Sequence, residues 1–161
     1  MIKKFSKDLY LQNDLIAKKA VYTYLERNWH FPEWRDEDFG IDLISEAGRK
    51  VSWHEVSRTT GWKKESFQDS FPNDPGAPLL QPKERRDRTV RIKKEKAPDA
   101  NLFFWIVNFD CNLAYCFTES VLVSSEVKPR NFFNNNFKDE PYYHIERSRA
   151  KLIDLTKYHG K

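Results

Sequence analysis

Residues Phe39–Ser57 read FGIDLISEAGRKVSWHEVS. Two short apolar-rich runs flank Glu46-Ala47-Gly48-Arg49, and Ala-Gly between charged residues marks a tight turn, so the stretch predicts a β-hairpin. With Ala47 and Gly48 as the loop, Glu46 faces Arg49, Ile44 faces Val51 and Asp42 faces Trp53. Cross-strand partners share a face and side chains alternate, which puts Glu55 diagonally from Asp42 on one face. Diagonal neighbours lie roughly 7–8 Å apart at the backbone, close enough for two carboxylates to converge on one cation. A one-residue change in loop length would part them. Acids in hairpins are usually solvated. These two, however, sit in runs rich in Phe, Ile, Leu, Val and Trp, where a carboxylate needs a partner or a cation.

Upstream, the spacing predicts a helix over Asp8 to Asn28, with Leu11, Leu15, Tyr22 and Leu25 at helical intervals and Ile16, Ala20 and Tyr24 on the flank. Asp8 suits the first turn electrostatically. Asp14 lies on a stripe with Lys18, Val21 and Leu25 and so borders the apolar face; an i, i+4 pair with Lys18 at the surface is the plainer reading of it.

The order helix, then Gly40-Ile41-Asp42 near a strand start, then a turn, then an apolar strand carrying Glu55-Val56, resembles the PD-(D/E)xK, restriction-endonuclease-like nuclease superfamily. The resemblance runs from about Asp8 to Ser57, with weaker agreement through Asp110. It implies a mixed α/β fold with a central mixed sheet flanked by helices. It also implies a Mg2+ or Mn2+ ion held by Asp42, Glu55 and the Val56 carbonyl, with Asp14 completing the set. Family members carry a Lys two residues after the Glu, and here that position is Ser57. Either catalysis is lost or a lysine from elsewhere supplies the charge.

The donors at hand are Lys93, Lys94 and Lys96, which follow Thr89-Val90-Arg91-Ile92. That segment alternates and reads as a strand, placing Lys94 on the face of Val90 and Ile92. Lys94 is therefore the expected catalytic lysine. The surrounding segment from Lys83 to Lys96 is locally basic although the chain's formal charge is only +4. Arg85, Arg86, Arg88, Arg91, Lys93 and Lys96 are its candidate contacts to a nucleic-acid backbone, contacts that position a duplex without reading it. A charge-protected, solvated edge gives the same composition.

A chain of 161 residues with 39% hydrophobic and 15% aromatic content predicts one globular domain over 1–161. Its Pro-rich segment 70–82 reads as a loop. Leu102 to Phe109, LFFWIVNF, reads as a central strand buried on both faces, with Leu113 to Thr118 returning beside it. Glu119 to Glu126 begins a helix, Tyr142 to Ile145 is a strand, and Ser148 to Leu155 is a closing amphipathic piece. Arg58 to Asp69 suggests a short helix.

No run of about 18 apolar residues exists to span a membrane, and the basic start is not followed by a signal-like apolar stretch. Cys111 and Cys116 lack a second pair or suitably spaced histidines, so they read as buried or half-buried thiols in an intracellular, cytoplasmic protein. His54 points away from Glu55 and reads as a satisfied core or edge histidine. No phosphate-cradling glycine loop, G-x-S-x-G elbow or H-E-x-x-H is present, against ATPase, serine-hydrolase and zincin chemistry. Trp53, Trp62 and Tyr142-Tyr143 offer stacking surfaces for bases, or core.

Two functions follow. One is a divalent-metal-dependent endonuclease acting on DNA or RNA, with DNA the expected partner. The other is a catalytically inactive module of the same fold that binds nucleic acid or a protein. A small inhibitor or assembly protein is a third class without a motif of its own. The sequence leaves the oligomeric state open, a dimer included.

Overall fold

A computed structural model describes residues 7–28, 30–34, 42–58, 78–108, 111–129 and 141–156, without the side chains of residues 7–14 and 34. The elements run α1 (Lys7–Arg27), β1 (Phe31–Trp34), β2 (Leu43–Ala47), β3 (Lys50–Arg58), β4 (Leu79–Pro82), α2 (Lys83–Lys96), β5 (Asn101–Val107) and β6 (Leu113–Thr118). They continue with α3 (Glu119–Val123), β7 (Glu126–Pro129), β8 (Pro141–Ile145), a 3-10 turn (Arg147–Arg149) and β9 (Lys151–Asp154). The chain is a mixed α/β fold. A 6-stranded sheet in the order β1-β2-β3-β5-β6-β9 is joined by a 3-stranded sheet, β4-β8-β7. The β3–β5 pair is parallel and the remaining pairs are antiparallel.

The large sheet is covered on both faces. On one side α1 buries Ala17, Ala20, Val21 and Leu25 against Leu43, Val56, Trp105, Val107, Ala114 and Ile153. The i, i+3, i+4, i+8 spacing makes one helical stripe, and two alanines let the helix lie close to the strands. This stripe is rotated from the expected one: Leu15 and Ile16 are exposed. On the other side Trp53, Leu102, Phe104, Ile106, Tyr115 and Phe117 meet Leu79 of β4, Leu122 of α3, and Tyr143 and Ile145 of β8, with Val90 and Ile92 of α2 packed against them. Trp53, Tyr142 and Tyr143 are thus buried rather than offered to bases. β5 sits at the centre, and from Phe104 through Val107 every residue is buried, as its apolar run predicts.

The hairpin forms one residue later than expected. Ala47 pairs with Lys50, so Gly48 and Arg49 are the loop residues. Gly48 takes φ +65° while Arg49 does not share the positive φ, the type II′ pattern that places glycine first and matches the strand twist. Moving the turn by one residue moves the pairing by two, so Ile44 faces Trp53 rather than Val51. The parity of every face is preserved.

A larger correction concerns residues 83–96. The expected strand over Thr89 to Ile92 is the interior of α2. Arg86, Thr89 and Lys93 are its buried positions, at spacings of three and four, and Lys, Arg and Glu are strong helix formers. Glu84 in the first turn and Lys93, Lys94 and Lys96 in the last complement the helix dipole. Part of the expected Pro-rich loop is likewise strand β4, which pairs with β8. The readings of residues 59–77, Trp62 among them, lie outside the described residues. Among the described residues no helix is long and apolar enough to cross a membrane.

The sheet's outer strands are short. Among the described residues β1, Phe-Pro-Glu-Trp, pairs only with β2, and β9, Lys-Leu-Ile-Asp, pairs only with β6. Between β5 and β6 the chain reverses around Asn108, which is fully buried. Its Oδ1 accepts from the Asn112 and Leu113 amides at 3.0 and 3.1 Å, holding Cys111 at φ 57°. Cys111 is a buried thiol and Cys116 a half-buried one. Burial pushes the Cys116 thiol up to about 12.

His54 is 3% exposed and fully satisfied. The Trp105 indole donates to Nδ1 at 3.0 Å, and Nε2 lies 2.7 Å from Ser45 Oγ. An indole only donates, so Nδ1 is bare and Nε2 carries the proton. The ring stacks on Phe103 with centroids 5.5 Å apart. Burial, with a smaller contribution from the His30 charge, lowers its pKa from 6.5 to about 3. Below pH 6.5 the unfolded chain binds a proton that the folded chain refuses. This contribution to stability is therefore whole above 6.5 and is lost as pH falls toward 3, by about 1.4 kcal/mol per unit. Urea unfolding at pH 7.5 and pH 5 is expected to show this fall, and His54→Asn to lose it. An equal pH dependence in both proteins contradicts the assignment.

Candidate active site

The site is the place where β2 ends beside β3. The ladder ends at Leu43↔His54, and the Asp42 amide donates to the His54 carbonyl at 3.3 Å, which sets Asp42 beside the end of the hairpin next to Glu55. Asp42 itself lies in a bend, outside the ladder, so its side chain is not bound to strand alternation. Its Oδ2 accepts the Val56 amide at 2.7 Å, the donor for which β2 has no further residue. Its Oδ1 meets Lys18 Nζ at 2.7 Å, with both side chains largely buried. Lys18 reaches it from α1, on the other side of the sheet from α2.

Glu55 follows the alternation and faces α2. Arg86 Nη1 lies 3.9 Å from Glu55 Oε1, with side-chain exposures of 6% and 19%. The guanidinium is fixed from two more directions: Nε donates to Gln81 Oε1 at 2.6 Å, and the group stands over the Phe104 ring, 5.7 Å from its centroid. Phe104 is the strand partner of Glu55, so the parallel register itself delivers the aromatic platform. Each acid thus has its own base, Lys18 for Asp42 and Arg86 for Glu55, from opposite sides of the sheet.

The remaining residues fall elsewhere. Ser57 donates its hydroxyl to the Trp105 carbonyl at 3.2 Å and is occupied with β5. Lys94 is exposed on α2, because the segment is helical, and it has no strand to carry it toward Glu55. Lys93 is buried, with Nζ 3.3 Å from the Pro98 carbonyl and 4.0 Å from Glu119. Arg86 and Lys93 are hence interior residues rather than surface contacts for a nucleic acid. Arg85, Arg88, Arg91 and Lys96 are exposed on the same helix. The Asp14 side chain lies outside the described residues, as do Gly40 and Ile41. The sequence signal that identifies Arg86 is its place in a helical stripe with Thr89 and Lys93.

Donor chemistry suits a hard divalent ion. Val56 directs its amide toward Asp42; a strand residue points its amide and carbonyl to the same side, so its carbonyl opens on the same gap. Two carboxylates and a backbone oxygen match Mg2+ or Mn2+, ions that keep several waters and need only one or two carboxylates. Among the described residues no group of three or more His, Cys, Asp or Glu side chains assembles.

No protein-family model matches the chain, and no curated protein matches it. Among solved structures it is similar to Hjc, a Holliday junction resolvase from the archaeal hyperthermophile Archaeoglobus fulgidus, at 9% identity and a TM-score of 0.48, covering 85% of this chain and 95% of that one.

The Arg86–Glu55 pair has a measurable signature. Removing one partner of a largely buried pair leaves the other charge uncompensated. Arg86→Met alone is expected to destabilise the fold, and Glu55→Gln is expected to offset part of that loss. The double-mutant coupling should be about 1–3 kcal/mol in urea unfolding. Additive effects would mean that the two groups do not interact.

Proposed function

We propose that the chain is a divalent-metal-dependent nuclease that hydrolyses phosphodiester bonds in DNA or RNA, with Asp42, Glu55 and the Val56 carbonyl holding Mg2+ or Mn2+. The observation that supports this reading is the Asp42 carboxylate at the end of the hairpin, which accepts from the amide of Val56, the residue that follows Glu55. The order of the motif agrees with the PD-(D/E)xK resemblance.

When bound, the metal supplies a water of lowered pKa and offsets charge on the phosphate. The chain's own groups do the rest. Lys18 fixes the Asp42 carboxylate, and Asp14, one turn earlier on α1, is the candidate further acid. Arg86 takes the place that Lys94 was expected to fill: it is the cation beside Glu55, preorganised by Gln81 and Phe104, and a fixed guanidinium suits a phosphoryl oxygen. Arg85, Arg88, Arg91 and Lys96 on the outer side of α2 hold the nucleic-acid backbone.

A second reading draws on the same two ion pairs. Acids already neutralised by Lys18 and Arg86 need no metal, and a non-catalytic module that binds nucleic acid or a protein would keep them. Calorimetry with Mn2+ separates the two. The nuclease reading expects stoichiometric binding, lost in Asp42→Asn, and metal-dependent cutting abolished in Asp42→Ala and Glu55→Ala. Arg86→Ala is expected to lower cutting by roughly a hundredfold or more, while Lys94→Ala leaves it near wild type. Absence of both Mn2+ binding and cutting of single-stranded, duplex and branched DNA and RNA would sink it.

A further inference from the structure

The charges at the candidate site are matched among themselves. Asp42 is met by Lys18 at 2.7 Å and Glu55 by Arg86 at 3.9 Å, so each acid has a base before any ion enters. Arg86 is held on the α2 side by Gln81 and Phe104 as well. Lys18 is placed differently. Its Nζ contacts Asp42 Oδ1, and side-chain exposures of 11% and 13% keep this pair out of the solvent screening that makes surface pairs weak. It stands at the border of the buried stripe of α1, between buried Ala17 and exposed Lys19.

The two oxygens of Asp42 are held in unlike ways. Oδ2 accepts from the Val56 amide at 2.7 Å, a main-chain contact fixed by the sheet. Oδ1 is held by an ammonium on a flexible stem, which a change of rotamer carries outward beside Lys19 to water. Oδ1 is therefore the oxygen that an incoming ion can gain. A hard divalent ion sits about 2.1 Å from a carboxylate oxygen. With the ammonium kept at 2.7 Å from the same atom, the two cations would lie within about 5 Å of each other at any angle, where water screens them poorly. Like charges so close oppose joint occupancy of one oxygen.

We propose that Lys18 is a built-in competitor of the metal. Its ammonium holds the place of the divalent ion's charge at Asp42, leaves when the ion binds, and so sets the metal concentration at which the site fills. This inference rests on Asp42 being a metal ligand, as in the nuclease reading, and adds what governs its loading. Fixing by Lys18 and loading by the ion are alternatives at one oxygen. The lysine keeps a largely buried carboxylate compensated until the ion does so instead. By linkage, whatever the Lys18 contact contributes to the metal-free fold is subtracted from the affinity for the ion.

The test is Mn2+ calorimetry on the full chain, with urea unfolding in the presence and absence of Mn2+. Lys18→Met is expected to bind Mn2+ about tenfold or more tightly than wild type, the worth of a hydrogen bond between charged groups. Without metal it should unfold at lower urea than wild type, and saturating Mn2+ should remove most of that difference. Lys18→Gln, which keeps a donor without the charge, should shift the same way and serves if the methionine variant does not fold by circular dichroism. Lys18→Arg should stay near wild type, as should Lys19→Met, which loses the same charge from an exposed position on the same helix. The gain should vanish when Asp42→Asn is added; a gain that persists places the ion elsewhere and overturns the inference. Equal or weaker binding by Lys18→Met than by wild type would overturn it and leave the nuclease reading intact, as would a stability loss that Mn2+ does not reduce. Binding by Lys18→Met but not by wild type would uphold the inference and count against the nuclease reading. Binding by neither would overturn both.

Discussion

The parallel pairing of β3 with β5 is the constraint on which the rest hangs. It puts His54 beside Phe103, Glu55 beside Phe104 and Val56 beside Trp105, and each of those neighbours is then used. Phe103 stacks on the imidazole, Trp105 donates to its Nδ1, and Phe104 is the surface on which Arg86 lies. A slip of one residue would send His54 to the α2 side and Glu55 into the apolar layer under α1. An uncompensated carboxylate there would be severely unfavourable. Register is therefore specified by polar groups as much as by the hydrophobic pattern.

The same pairing divides the candidate site between two layers. Alternation gives Glu55 to α2 and His54 and Val56 to α1, while the bend at Asp42 frees that one acid to turn into the plane of the sheet. The two helices thus address the two carboxylates separately, α1 through Lys18 and α2 through Arg86. What joins them is backbone: the last step of the hairpin and the amide of Val56.

Much of this was legible in the sequence, for physical reasons that also explain what was not. The long apolar run of β5 admits only a doubly covered strand, and α1 declares itself by length. The hairpin was found with its turn one residue early, because Ala-Gly and Gly-Arg are both weak signals and only the positive φ of Gly48 decides between them. The faces of the strand residues were unchanged, since a shift of the pairing by two preserves parity. α2 was misread as a strand because Thr89, Val90 and Ile92 are β-branched and alternate with basic residues. Over a window this short, period two and period 3.6 are hard to separate. That reading put Lys94, which is exposed on the helix, beside the candidate site and took Arg86, an interior residue, for a surface contact. Burial of an arginine is not written in composition. It follows from tertiary partners, here Glu55, Gln81 and Phe104, contributed by three different strands.

The short outer strands have a consequence for assembly. Pro32 in β1 has no amide hydrogen, so the free edge of that strand lacks a donor where an incoming strand would need one. Four residues with a proline and a glutamate among them make a poor template, and β9 is equally brief and begins and ends on charged residues. Neither border of the large sheet invites continuation by another molecule's backbone. Self-association of this chain, where it occurs, is steered to side-chain surfaces rather than to growth of the sheet, and the protein is guarded against fibre-like stacking by two strands of four residues each.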